Sequence, residues 1–492
     1  MTASALEEIK AYPVGKFYWN GAWQTPLGTG SFDIVSPVTE ETLLSMPQAA
    51  EADMDAAVAS ARTAFDQGPW PTLKPAERAE ILTRFAALIR EKGDLLARVW
   101  TMQAGTLPGM AGNSAGYSVS AIDRNVALAD SYPFIEVFDQ YDDFRAIVRE
   151  PVGVVAAIAP WNAPLATMLN KIGPALMAGC PVIMKPAPET PLEAYIVAAC
   201  ADEAGFPPGV VNLVGAGREV SDYLVRHPGV DKVSFTGSVA AGKRIASVCG
   251  DRIARVTLEL GGKSAAIICE DADLEQAAKS LAGNIVMLSG QNCAALTRAL
   301  VPATLQDIFL GHLSAELDTV KVGPPEEEGV RLGPLAMKRQ LERVEDYIRI
   351  GQAEGARLAY GGTPPEHINQ GYYIRPTVFA DVKNDMRIAQ EEIFGPVLSV
   401  IPYETEAEAI AMANASDFGL AGGVYTSDVQ KAYDISRKMR TGTVGNNGAK
   451  ADFSVAFGGF KQSGLGREGG TVGIEPYLEV KTLLFDEAPP NL

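Results

Sequence analysis

Cys293 stands in the run Ser289-Gly290-Gln291-Asn292-Cys293-Ala294-Ala295, and upstream of it lies Thr257-Leu258-Glu259-Leu260-Gly261-Gly262-Lys263. A thiol with a reference pKa of about 8.5 is mostly protonated near neutral pH, so a nucleophilic cysteine needs a base in reach. Glu259 is a candidate for that base. A buried thiol is as a rule a small core hydrophobe, so neither residue argues for chemistry without its neighbours.

Other runs carry residue types that bind or polarise. Phe235-Thr236-Gly237-Ser238-Val239-Ala240-Ala241-Gly242-Lys243 follows a short apolar run and opens a helical pattern. Free N–H groups and the helix dipole at such a start suit a phosphate, though Gly-Ser also begins ordinary helices. Pro160-Trp161-Asn162-Ala163-Pro164-Leu165 follows another apolar run, the place where ligands gather in an open α/β sheet. Asn162 can either offer an amide N–H to an oxyanion or cap a helix. Lys185, before Pro186-Ala187-Pro188-Glu189, either reaches a ribose or phosphate or is solvated. Gly215-Ala216-Gly217-Arg218 is half of a G-x-G-x-x-G pattern and reads as a turn.

These residues need two sheets to hold them. At 492 residues the chain exceeds the roughly 250 to 300 at which one core stops growing. Forty-seven per cent hydrophobic and 21% charged residues describe a folded globular chain, and the net charge of -18 counts against nucleic acid as a partner. No apolar run approaches the ~18 to 20 residues that span a bilayer, and the first ten residues hold no secretory h-region, so a cytoplasmic protein is expected. Five scattered cysteines without a C-x-x-C pair suggest neither a disulfide framework nor a metal site. His227, His312 and His367 stand apart and read as surface residues.

Asn20-Gly21 between aromatic residues predicts a hairpin. Residues 49–66 and 76–97 show helical apolar spacing, with Ile81, Phe85, Leu88 and Leu95 on the second stripe. From Ile147 onward the short runs 152–158, 181–184, 210–213 and 232–235 alternate with helical stretches and predict a parallel sheet with crossover helices. A second series, 264–268, 299–301, 373–374, 397–400 and 423–425, predicts another α/β unit beginning near Gly262. Residues 134–138, 144–148 and 477–484 alternate like exposed strands; they suit either an oligomerisation arm or an edge hairpin within one chain.

Gln390-Glu391-Glu392-Ile393-Phe394-Gly395-Pro396-Val397 and Phe457-Gly458-Gly459-Phe460-Lys461-Gln462-Ser463-Gly464-Leu465-Gly466-Arg467-Glu468 complete the set. In this order, with Cys293 and Glu259, the motifs resemble the aldehyde dehydrogenase superfamily from about Phe17 to Phe485. The resemblance implies an α/β fold with a Rossmann-like cofactor domain (residues 1–130 and 153–262), a catalytic thiol domain (263–447) and a small β arm (131–152 and 470–487) that forms a homodimer or homotetramer.

It also implies roles. Cys293 is the nucleophile that attacks an aldehyde, the Asn162 side chain and the Cys293 N–H hold the oxyanion, and hydride leaves for nicotinamide. Glu259 activates the thiol and then the water that releases a carboxylic acid. The implied cofactor residues are Ile158, Pro160, Trp161, Lys185, Gly217, Phe235, Thr236, Gly237, Ser238, Leu260, Gln340, Arg343, Glu392 and Phe394; no metal is implied. Family members often carry a ribose-binding glutamate where this chain has Pro188, which opens NADP as an alternative to NAD; the absence of an arginine cluster nearby favours NAD. The implied aldehyde path, Ala163, Thr167, Met287, Asn292, Ala294 and Phe457, is roomy and apolar and suits a hydrophobic aromatic or terpenoid-type aldehyde. The rivals are a coenzyme A-acylating member of the same superfamily, which commonly lacks the Glu259 position, a cysteine hydrolase, and a non-catalytic protein on this scaffold.

Overall fold

The computed structural model describes residues 2–141 and 143–490. Two twisted sheets carry the chain. The first has eight strands in the order Ala22–Gln24, Phe17–Trp19, Val211–Leu213, Val182–Lys185, Val155–Ile158, Lys232–Thr236, Arg255–Glu259, Gly464–Leu465. Its central five strands are parallel. They are continuous apolar runs because helices cover both faces, so both sides of each strand are buried. Strand order reverses between Val155–Ile158 and Lys232–Thr236, which creates a crevice at their carboxyl ends.

The second sheet has seven strands, Arg357–Tyr360, Thr377–Ala380, Val397–Tyr403, Leu296–Pro302, Ser264–Ile268, Ala421–Tyr425 and Thr443–Asn446, all parallel except the first pair. The chain crosses from one sheet to the other between Glu259 and Ser264 and returns to the first with Gly464–Leu465, which pairs with Leu258 and Glu259. A third sheet joins Ile135–Val137, Phe144–Pro151 and Leu478–Phe485, and its outer strands expose Ile135, Val480 and Leu484. Among the described residues no helix is long and apolar enough to cross a membrane.

The Asn-Gly hairpin forms as expected: Phe17 to Trp19 pairs with Ala22 to Gln24, and Asn20 and Gly21 take φ of 53° and 68°, the two left-handed positions of a tight hairpin turn. Elsewhere the reading needs correction. The stretch 76–97 is two helices, Pro75–Glu91 and Gly93–Ala104, broken at Lys92 where the low helix propensity of Gly93 allows a new start. Tyr373 and Ile374 are buried but form no strand; the strand begins at Thr377, after Pro376, which has no N–H to offer a ladder. Gly217 is the N-cap of helix Arg218–Arg226, so Gly215 to Arg218 starts a helix. His227 is half-buried, with Nε2 3.3 Å from Asp55, while His312 and His367 are exposed.

Candidate active site

The carboxyl ends of the two switch-point strands and the Phe394 loop of the second sheet enclose a cleft of about 260 Å3. Pro160, Trp161, Asn162, Thr236, Gly237, Ser238, Leu260, Gln340, Arg343, Glu392, Phe394 and Cys293 all line it, together with Gly261, which the sequence reading had placed only inside the Glu259 motif. Ile158 and Phe235 lie buried beneath it, and the Phe235 ring is so close under Gly237 that a Cβ there would sit 2.5 Å from it. Lys185 ends its strand almost fully buried and is not among the cleft walls, and desolvation lowers its ammonium to about 8. Gly217 is not on the cleft wall; it packs beside Gln48.

Each wall has a local cause. Ser238 caps helix Val239–Asp251, accepting from the Ala241 N–H at 3.3 Å, and aims the helix N-terminus at the crevice. Thr236 Oγ1, buried in the same turn, has no partner in the protein. An unpaired buried hydroxyl beside a helix N-terminus is what a bound polar ligand would satisfy. On the facing side Phe394 holds φ 62°, and its ring meets Trp161 edge-on at 5.3 Å. Gln340 Nε2 donates to the carbonyls of Ile393 and Phe394 at 3.0 and 2.6 Å, and Arg343 donates to the Ile393 and Glu392 carbonyls. Both side chains therefore brace the loop that presents Glu392. That carboxyl group accepts from the Gly262 N–H at 3.1 Å and lies 2.2 Å from where a Cβ on Gly261 would be, so a side chain at 261 would push Glu392 aside.

Cys293, half-buried, is one of the cleft walls. The turn before it takes left-handed φ at Leu288, Ser289 and Gly290 in succession, 52°, 56° and 73°. Two non-glycine residues in that region store strain, and side chains hold them: Ser289 donates to the Gly333 carbonyl at 3.0 Å, and Gln291 accepts from Ala336 N–H at 2.9 Å. The Asn162 amide donates to the Gln291 carbonyl at 2.8 Å, which fixes the amide and leaves its second N–H for another acceptor. From behind, Trp100 Nε1 donates to the Asn162 carbonyl at 3.2 Å and Thr190 Oγ1 to that of Trp161 at 3.0 Å. Sequence reading missed Trp100 because it lies on a separate helix.

The electrostatics oppose a free thiolate. Burial, then the Glu392 and Glu259 carboxyls, push the Cys293 thiol up to about 12. Glu259 is 3% exposed, and neither carboxyl oxygen has a protein partner. Burial first, then Glu468, holds it well above the usual carboxylate range, while Lys171 and Arg467 pull it down. Lys171 and Glu468 are a fully enclosed ion pair at 2.6 Å, which the sequence reading also missed. Gly458, at φ 148°, passes so near that a Cβ would sit 2.6 Å from Glu259 Oε1. Burial thus favours the proton-bearing form of both the thiol and the acid, and a proton must leave the pair before either can act.

The residues of the expected aldehyde path are spread more loosely. Thr167 bonds back to the Ala163 carbonyl at 2.7 Å; Asn292 Oδ1 accepts from the Ala294 N–H at 3.1 Å; Met287 is partly exposed at the kinked turn; Phe457 is buried and stacked on Phe453 at 4.3 Å.

The aldehyde dehydrogenase family profile matches residues 23–483. The geranial dehydrogenase of Castellaniella defragrans is 43% identical over 94% of this chain and 97% of its own, and a 3-succinoylsemialdehyde-pyridine dehydrogenase of a Pseudomonas species 41% identical over 95% and 98%. Among solved structures, a Mycobacterium tuberculosis aldehyde dehydrogenase complexed with NAD+ is 42% identical with a TM-score of 0.93 over 97% of this chain and 99% of that one. A mutant of a Pseudomonas syringae aldehyde dehydrogenase, in complex with NAD+ and octanal, is 38% identical with a TM-score of 0.93 over 97% and 98%. This chain belongs to the aldehyde dehydrogenase family.

Proposed function

We propose that the protein oxidises an aldehyde to a carboxylic acid, with Cys293 as nucleophile, Asn162 as oxyanion donor, Glu259 as base and NAD as hydride acceptor. The observation that carries this reading is the meeting of Cys293, the half-free Asn162 amide and a two-sided cleft with an orphaned Thr236 hydroxyl. NAD fits that cleft: the helix N-terminus at Ser238 and the Thr236 hydroxyl suit its phosphates, Lys185 and Gln340 the riboses, and Glu392 and Phe394 the nicotinamide end. The NAD complexes of the structural relatives support the same choice, and the absence of clustered arginines near Lys185 favours NAD over NADP.

Glu259 first gives up its proton to solvent, and its carboxylate then takes the Cys293 proton through water as the sulfur bonds to the aldehyde carbon. The oxygen gains the negative charge and takes the second Asn162 N–H, a donor worth about 10²–10³ in rate at comparable oxyanion sites. When bound, the nicotinamide supplies the hydride acceptor that turns this adduct into a thioester on Cys293. Glu259 passes the thiol proton on to solvent, and its carboxylate, whose two oxygens have no partner in the protein, takes a proton from water as the water oxygen attacks the thioester carbon; the tetrahedral adduct collapses, sulfur leaves and takes that proton back from Glu259.

The small residues Ala163 and Thr167, and the geranial dehydrogenase among the relatives, favour a hydrophobic aromatic or terpenoid-type aldehyde. The apolar residues exposed on the third sheet favour pairing of two chains there, as a homodimer or within a homotetramer. The test is to mix enzyme, NAD and geranial or benzaldehyde and follow reduced nicotinamide and acid. Equal amounts of both, without coenzyme A and abolished by Cys293→Ala, are expected. Product only with coenzyme A, or full activity in Cys293→Ala, would overturn the reading.

A further inference from the structure

Beside the start of the Pro164–Ala178 helix lies a small pocket with a carboxyl group in its wall, used by nothing in the mechanism above. Trp100, Ser114, Ala115, Ala163, Ala166 and Glu193 are among its walls, and its free space of about 10 Å3 admits one water-sized group. Glu193 is 1% exposed. Its Oε2 accepts from Gln103 Nε2, and its Oε1 has no partner. Ala163 directly follows Asn162, and Trp100, on the same wall, donates to the Asn162 carbonyl, so the pocket borders the loop that carries the oxyanion donor.

We propose that Glu193 is a specificity-determining residue, and that this pocket takes an uncharged oxygen, hydroxyl or carbonyl, that the substrate carries in addition to its aldehyde. The proposal rests on the aldehyde-oxidising reading above and on Ala163 facing the aldehyde path. Apart from Trp100, Ser114 and Glu193, the named walls are alanines, so a carboxylate there would be poorly solvated; burial holds the acid up to about 8, and it is neutral near pH 7. Because Oε2 already accepts from Gln103 and Oε1 has no partner, the proton belongs on Oε1, whose O–H is left to donate to a group in the pocket that Glu193 lines. A cationic group is disfavoured, since it would require the acid to ionise in that enclosure. An aldehyde with a methyl group at the same place leaves the O–H unpaired, and a buried donor without its acceptor discriminates by about 10- to 100-fold.

The test compares each hydroxybenzaldehyde isomer with the methylbenzaldehyde substituted at the same position, which matches it in size, by kcat/KM with saturating NAD. Wild-type enzyme is expected to favour the hydroxyl at one ring position by about 10-fold or more. In Glu193→Leu that ratio should fall toward its value at the other positions, and Glu193→Gln, whose amide can donate, should restore part of it. No position with a preference above about 3-fold in the wild type, or a Leu variant that keeps the wild-type ratio, overturns the proposal. The wild-type ratio decides the matter even where the Leu variant does not fold. If no aldehyde yields reduced nicotinamide, the proposed function fails instead; if all are oxidised without hydroxyl preference, only this inference fails.

Discussion

Replacing Glu468 by glutamine should move the acid limb of the pH–rate profile down by about 1 to 3 pH units. Lys171 and Glu468 meet at 2.6 Å with side-chain exposures of 0% and 4%, so water screens their charges little. At an effective permittivity of about 20 that contact is worth roughly 6 kcal/mol, enough to commit the ammonium to Glu468. Glu259 therefore feels the repulsion of Glu468 and only part of the attraction of Lys171. The amide removes the repulsion and frees the ammonium for Glu259. Both changes favour the carboxylate, and a shift of 1 to 3 units is about 1.4 to 4 kcal/mol. The sign follows: a raised Glu259 keeps its proton, activity needing its carboxylate is lost as pH falls through the raised value, and lowering that value extends activity to lower pH. The assay is kcat/KM for the aldehyde at saturating NAD between about pH 5 and 10, which reports groups of the enzyme before aldehyde binds. The limb belongs to the coupled Glu259 and Cys293 pair, so its displacement is the readout. A limb that stays in place or moves to higher pH would refute the reasoning. Breaking a buried pair costs about 3 to 5 kcal/mol, and a urea melt should show a loss below that range because Glu259 becomes the new partner of Lys171.

Other outcomes follow from the same contacts. Asn162→Ala should lower kcat by about 10²–10³ with NAD affinity kept, and a fall below 10-fold would remove the amide from the oxyanion site. Trp100→Phe deletes one hydrogen bond to the Asn162 carbonyl and should reduce kcat about 2- to 10-fold with little change in melting temperature; unchanged kcat would show that the loop holds itself. Gln340→Leu loosens the Phe394 loop and should raise the Kd for NAD, read by fluorescence titration, by about 10-fold or more, since it removes two carbonyl contacts.

Most of the parallel strands were readable because burial on both faces makes them short apolar runs, and residues just past their ends form cleft walls; Arg255–Glu259, Thr377–Ala380 and Thr443–Asn446, with polar or glycine positions among four or five residues, were not. What was not readable depends on distance along the chain. Lys171 and Glu468 are 297 positions apart, and neither lies in a pattern that names the other. Trp100 and Glu193 come beside the Asn162 loop through the packing of separate helices, which no local spacing encodes. Gln340 and Arg343, expected from the resemblance to contact a ribose, line the cleft, and their hydrogen bonds run to backbone carbonyls of the Glu392 loop, a bracing role that residue type alone does not distinguish from ligand contact. The break at Lys92 had a signal, Gly93, outweighed by apolar spacing that runs on through it.

The central claim is that the substrate becomes covalently attached to Cys293 and is released by water. Acid-quenching the enzyme within its first turnover with an isotopically labelled aldehyde and NAD, then mapping the label by peptide mass spectrometry, tests it directly. The account predicts one acyl group per active chain on the peptide containing Cys293, formed together with one reduced nicotinamide. Reduced nicotinamide without any acyl adduct, or label on one of the other four cysteines, would contradict it.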